Sequence, residues 1–107
     1  MNFITFDVSL QLVRSLRTPI AQLVAQDSAL ADQVRRAASS VPLNVAEGRC
    51  RAGKDRAHHY RVAAGSADEV RAALLVAEAW GYVPREAMAE SLALLDRVLS
   101  LLWRLTH

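Results

Sequence analysis

Cysteine occurs once in this 107-residue chain, at Cys50. No intrachain disulfide can form, which excludes a disulfide-stapled scaffold and favours a reducing, cytoplasmic setting. No run approaches the ~18 apolar residues of a membrane span. The opening Met1-Asn2-Phe3-Ile4-Thr5-Phe6-Asp7 has no basic stretch leading into an apolar core, so it is not expected to be a secretory signal. Strand-forming Val, Ile and Thr are few and never alternate for long, which argues against a sheet. The four glycines form no phosphate loop, because Gly48 and Gly53 lack the strand and the spacing of one. There is no His-x-x-x-His or Cys-x-x-Cys pair, and His58 and His59 point about 100° apart on a helix, so Glu47, Cys50 and the histidines are not expected to hold a metal. Ser66 sits in no nucleophile motif. The chain reads as a non-enzyme without a cofactor.

Alanine and leucine fill the space left by these absences. Together they make about a third of the chain, and both are strong helix formers. The expectation is an all-α single domain over 1–107: an antiparallel up-down-up-down four-helix bundle, kinked at Pro19 and Pro42. The first helix is read from about 7 to 25, with Asp7 as N-cap and Leu12, Val13, Leu16, Ile20, Leu23 and Val24 as its stripe. The stripe stays in phase across Pro19, so a kink is preferred to a break at Thr18-Pro19. Asp27 and Ser28 supply cap residues for a second helix, striped by Leu30, Val34, Ala37, Ala38, Val41 and Val45. Gly48 and Gly53 bracket the next turn, either being able to take positive φ. A third helix from Lys54 to Trp80 is about 40 Å long. Gly65 falls within it, a position expected to face another backbone. Gly81 ends that helix, and a fourth runs from about 84 to 105.

The fourth helix has two apolar seams: Met88, Leu92, Leu95, Leu99 and Leu102, and beside them Leu94, Val98, Leu101 and Leu105. One stripe of about 100° suffices for a bundle. The second seam, Leu94, Val98, Leu101 and Leu105, or else the neighbouring one, is therefore read as a homo-oligomer interface.

Formal charge is +2, but its distribution is uneven. Arg49, Arg51, Lys54, Arg56 and Arg61 face only Asp55 over thirteen positions, while the remainder is slightly acidic. A basic cluster on a near-neutral body suits a local anionic contact, with RNA or DNA phosphates or with a nucleic-acid-binding protein. A solvated turn is the plainer reading. Lys54 and Arg56 lie at the unfavourable end of the helix dipole, which asks for a further reason. Folding helices two and three back on each other near residue 51 sets Arg35 and Arg36 opposite Asp68 and Glu69, as a structural ion pair. The same folding brings Asn44 near His58, and Glu47 near the start of helix three.

Gln33-Val34-Arg35-Arg36-Ala37-Ala38 and Val41-Pro42-Leu43-Asn44-Val45-Ala46-Glu47-Gly48 resemble the signature of the 23S ribosomal RNA intervening-sequence proteins, also called four-helix bundle proteins. Gly65-Ser66 with Glu69, and Ala77-Glu78-Ala79-Trp80-Gly81-Tyr82-Val83, resemble the family's second half. The resemblance covers roughly residues 8 to 105 and implies a homopentamer. Related accessory proteins of diversity-generating retroelements bind a reverse transcriptase and nucleic acid. This chain departs from them in having one lysine and less positive charge, so weak nucleic-acid binding is expected. The expected role is an oligomeric scaffold or adaptor; the alternative is a structural or selfish-element protein with no ligand.

Overall fold

The computed structural model describes residues 3–107, and in them the chain forms five α-helices and no strand. They are α1 (Ile4–Ser15), α2 (Arg17–Gln26), α3 (Ser28–Arg49), α4 (Gly53–Ala79) and α5 (Arg85–Thr106). No helix among the described residues is long and apolar enough to cross a membrane.

The single helix expected over 7–25 is two helices. It starts earlier, at Ile4, because Phe3 and Phe6 pack on the core and draw the first turn into the fold. Asp7 is then a first-turn residue near the positive helix end, not the N-cap. The helix breaks at Leu16, whose N–H is shared between the carbonyls of Leu12 (3.2 Å) and Val13 (3.1 Å). That tightened turn is a common way to end a helix. Pro19 becomes the third residue of α2, where a missing N–H breaks no intrahelical bond. Leu12, Leu16 and Leu23 are all buried, so the apolar phase survives the break.

Local chemistry explains most other boundaries. Asp27 caps α3, its Oδ1 accepting from the Leu30 N–H at 3.0 Å, a contact worth about 1 kcal/mol. Pro42 lies inside α3, which continues through it. Gly53 (φ +58°) opens α4 and Gly81 (φ +79°) follows its end. There Tyr82 donates to Ala77 and Gly81 to Glu78, both at 2.9 Å, the paired bonds of a Schellman ending.

The most extensive packing is between α3 and α4. Residue numbers run in opposite senses across it: Ser40 meets Ser66, Asn44 meets His59, and Gly48 meets Tyr60. Between α4 and α5, Arg71 pairs with Asp96 and Glu78 with Arg85. Ser15 of α1 bonds Ser91 of α5 at 2.8 Å. The long axis of the molecule, 42 Å, is about the length of α4. Leu74, Met88, Leu95 and Leu102 join the α1 and α2 leucines in one core.

The glycines answer differently from the sequence expectation. No atom lies within 4 Å of where a Gly65 Cβ would stand, so no backbone approaches it within this chain. Gly48, with no positive φ, is the close contact: a Cβ there would sit 2.7 and 2.8 Å from the ring of buried Tyr60. Gly48→Ala should therefore destabilise the fold, by about 1–2 kcal/mol once the gain in helix propensity offsets part of the overpacking. Gly65→Ala should stabilise it by about 0.5–1 kcal/mol. Urea denaturation of the two variants beside the parent checks both signs.

Candidate nucleic-acid interface

The short connection between α3 and α4, residues 50–52, gathers the basic segment at one end of the molecule. Gly48 lets the last turn of α3 lie against Tyr60, and Cys50 and Arg51 extend that turn, donating to Glu47 (3.2 Å) and Gly48 (3.1 Å). Ala52 is extended, and Gly53 redirects the chain into α4.

Within this frame the five bases have different surroundings. Arg51 lies between Glu47 (3.3 Å) and Asp55 (3.8 Å). Arg49 places its guanidinium 5.1 Å from the centre of the Phe3 ring, a cation–π distance. Arg56 reaches back across the turn, its Nε 3.3 Å from the Gly48 carbonyl and its Nη2 3.5 Å from that of Arg49. This supplies the reason that the helix dipole asked for: Arg56 is at the wrong end of α4 but the right end of α3, whose last carbonyls it serves. Lys54 and Arg61 are exposed and have no ion pair among the described residues. Tyr60 sits beneath. Burial pushes its phenol above the usual value, and Arg56 and Arg49 pull it partly back.

The structural polar set is rearranged. Asn44 meets His59, not His58: its Oδ1 lies 3.2 Å from His59 Nδ1, and its amide donates to the Ser40 carbonyl (2.9 Å) and Oγ (3.0 Å). Ser40 and Ser66 close the chain at 2.8 Å. Glu47 is on Arg51 and Arg35 is on Asp32 one turn away (3.0 Å), so Arg35 does not cross to α4. Arg36 and Glu69 line one groove of 340 Å³ with Ser40 and Ser66, yet they do not come within 4.0 Å of each other. The expected cross-helix ion pair is therefore not formed. Small residues bring α3 and α4 together, which leaves the long side chains at the exposed rim.

The second α5 seam is also divided. Val98 is 0 % exposed and lies in the chain's own core, in line with Met88, Ser91, Leu95 and Leu102. Leu94 and Leu101 are half-buried, and Leu105 is 42 % exposed. The sequence reading missed Trp103, which is 60 % exposed and stacked on His107 (4.3 Å between centres, 8° between planes). Its signal was its place four residues after Leu99, on the flank opposite Leu105. No three His, Cys, Asp or Glu side chains among the described residues gather as a metal site.

A double-mutant cycle separates the two polar arrangements. Arg36→Ala with Glu69→Ala should couple by less than about 0.3 kcal/mol. Asn44→Ala with His59→Ala should couple by about 0.5–1.5 kcal/mol.

A family model described as 23S rRNA-intervening sequence protein matches residues 3–104. A crystal structure of a protein of unknown function from the S23 ribosomal protein family of Bacteroides thetaiotaomicron superposes with a TM-score of 0.86. It is 19% identical, and the match covers 95% of this chain and 97% of that one. No curated protein matches in sequence.

Proposed function

The chain belongs to the 23S rRNA-intervening sequence protein family, and on that premise we propose that it is a non-enzymatic, self-associating scaffold that contacts nucleic acid through the basic segment between α3 and α4. We read α1 and α2 as one arm bent at Leu16, so that five helices act as the four arms of an up-down-up-down bundle. α3 is the second arm, kinked at Pro42. The observation that carries the nucleic-acid reading is the concentration of Arg49, Arg51, Lys54, Arg56 and Arg61 at one end of an otherwise slightly acidic chain. Such a cluster holds phosphates through counterion release and does not read base sequence.

Self-association would use the leucine flank of α5. Leu94, Leu101 and Leu105 are what remains of the second seam after Val98 is assigned to the core. The homopentamer implied by the sequence resemblance is the proposed assembly. It would repeat the basic segment five times and turn weak single contacts into useful avidity. A second reading, a structural protein with no nucleic-acid ligand, draws on Arg49, Arg51 and Arg56, which all have partners within the chain.

Binding of labelled RNA or DNA at low ionic strength tests the first reading. Affinity should fall steeply with added salt, and Arg49→Ser with Arg51→Ser, Lys54→Ser and Arg61→Ser should abolish it. Arg56 is left in place because it serves the end of α3. No affinity in the parent, or full affinity in the quadruple variant, favours the second reading. For assembly, Leu101→Asp with Leu105→Asp should dissociate the oligomer in sedimentation while helicity is kept. A parent that is monomeric at micromolar concentration, or a variant that stays assembled, refutes the α5 contact.

A further inference from the structure

The five bases do not share one surface. Arg49, Arg51 and Arg56 are turned to Phe3, to two carboxylates and to the α3 carbonyls. Lys54 and Arg61 are two helical turns apart on the exposed face of α4, with His58 between them at the intervening i, i+4 position. Asp55, the acid of that first turn, is on Arg51. The cationic row leads to a groove of 560 Å³ between α4 and α5, within the range of ligand sites. Arg61 and Asp68 stand at its rim, and Ala64, Gly65, Leu99 and Trp103 give it an apolar lining. Gly65 leaves that wall open, since nothing lies within 4 Å of its Cβ position. His107, which also lines the groove, stacks on one face of the Trp103 indole, and 60 % of Trp103 remains exposed.

We propose that the α4–α5 groove is a base-stacking site for single-stranded nucleic acid, with Trp103 as the platform and Lys54 and Arg61 as the phosphate contacts. This rests on the nucleic-acid reading above and narrows it to unpaired strands. A flat aromatic surface beside a row of cations is the pairing that single-strand binders use, because any unstacked base offers a π-face and any strand offers phosphates. A duplex offers the phosphates but keeps its base faces covered. Asp68, two turns from Arg61, disfavours a phosphate at its own end of the groove and can accept from the amino group of a base. The strand therefore runs with its backbone on the Lys54–Arg61 side. A second copy of the chain is the competing occupant. It would have to bury Arg61 and Asp68, neither of which has an ion-pair partner among the described residues, and supply a counter-charge to each.

Fluorescence anisotropy at low salt tests this with labelled oligouridylate of about ten nucleotides, the matching oligothymidylate, an abasic oligomer and a duplex of equal length. Trp103→Ala should weaken oligouridylate and oligothymidylate by about tenfold and leave the abasic oligomer unchanged. Gly65→Leu, which removes neither charge nor ring and fills the groove, should do the same. Both positions are exposed, so circular dichroism should show unchanged helicity. If the parent binds in a salt-sensitive way but both variants bind oligouridylate equally well, the stacking site is overturned while the basic contact stands. A preference for the duplex also overturns it. So does a variant that alters sedimentation but not oligonucleotide affinity, because the groove is then a subunit contact. A parent that binds none of the four probes overturns both this site and the reading beneath it.

Discussion

The close approach of α3 and α4 is the constraint on which the other features rest. Ala37 and Ser40 on one helix, with Ala63, Ser66 and Ala67 on the other, keep the facing surfaces small. Gly48 then meets the Tyr60 ring with no room for a methyl group. Polar groups inside such a contact must find partners, since an unpaired one is costly to bury. Here they find each other: Ser40 with Ser66, and Asn44 with both Ser40 and His59. These bonds also fix the register, because a slip of one turn would separate every pair at once. The register in turn decides which end of α4 lies beside the end of α3.

That juxtaposition governs the electrostatics of the basic end. Two helix termini of opposite dipole sign meet there, with the carbonyls of α3 beside the amides of α4. An arginine entering α4 can serve the carbonyls leaving α3, and Arg56 does so. Arg51 is likewise held by one carboxylate from each helix, Glu47 and Asp55. Local density of positive charge in a sequence is therefore an upper bound on the charge offered to a ligand. Part of it holds the turn together, and the part with no ion pair among the described residues includes the Lys54–Arg61 row on the next face of the helix.

What the sequence made legible follows the same division between local and tertiary causes. The Asp27 cap, the Gly81 ending and the helical identity of every long segment depend on a few neighbouring residues, and they were readable. Pro19 misled because a first-turn proline and a kinking proline look alike until the position of the preceding break is known, and that break is at buried Leu16. Gly48 and Gly65 are indistinguishable as letters; only the neighbouring helix shows that one is packed and the other open. The Arg36–Glu69 pairing had the right register and failed on side-chain direction, since both residues lie on the outer rim of the groove they share. Val98 failed for a related reason. Heptad spacing identifies seams, but the rotation of a helix about its axis decides which seam faces in.

That rotation gives α5 its unusual character. The inward line of Met88, Ser91, Leu95, Val98 and Leu102 takes the centre of a wide apolar arc, leaving a flank on each side. One flank carries Leu94, Leu101 and Leu105. The other carries Leu99 and Trp103, and it borders the open wall at Gly65. The two flanks differ in chemistry. Aliphatic side chains suit burial against another protein surface, whereas an aromatic ring beside Arg61 suits a flat, anionic partner. On the proposed reading one helix serves both purposes, and the two reinforce each other. Assembly through the leucine flank would leave the Trp103 groove of every subunit free, and joining several such grooves would raise the effective concentration of each for a strand already held by its neighbour.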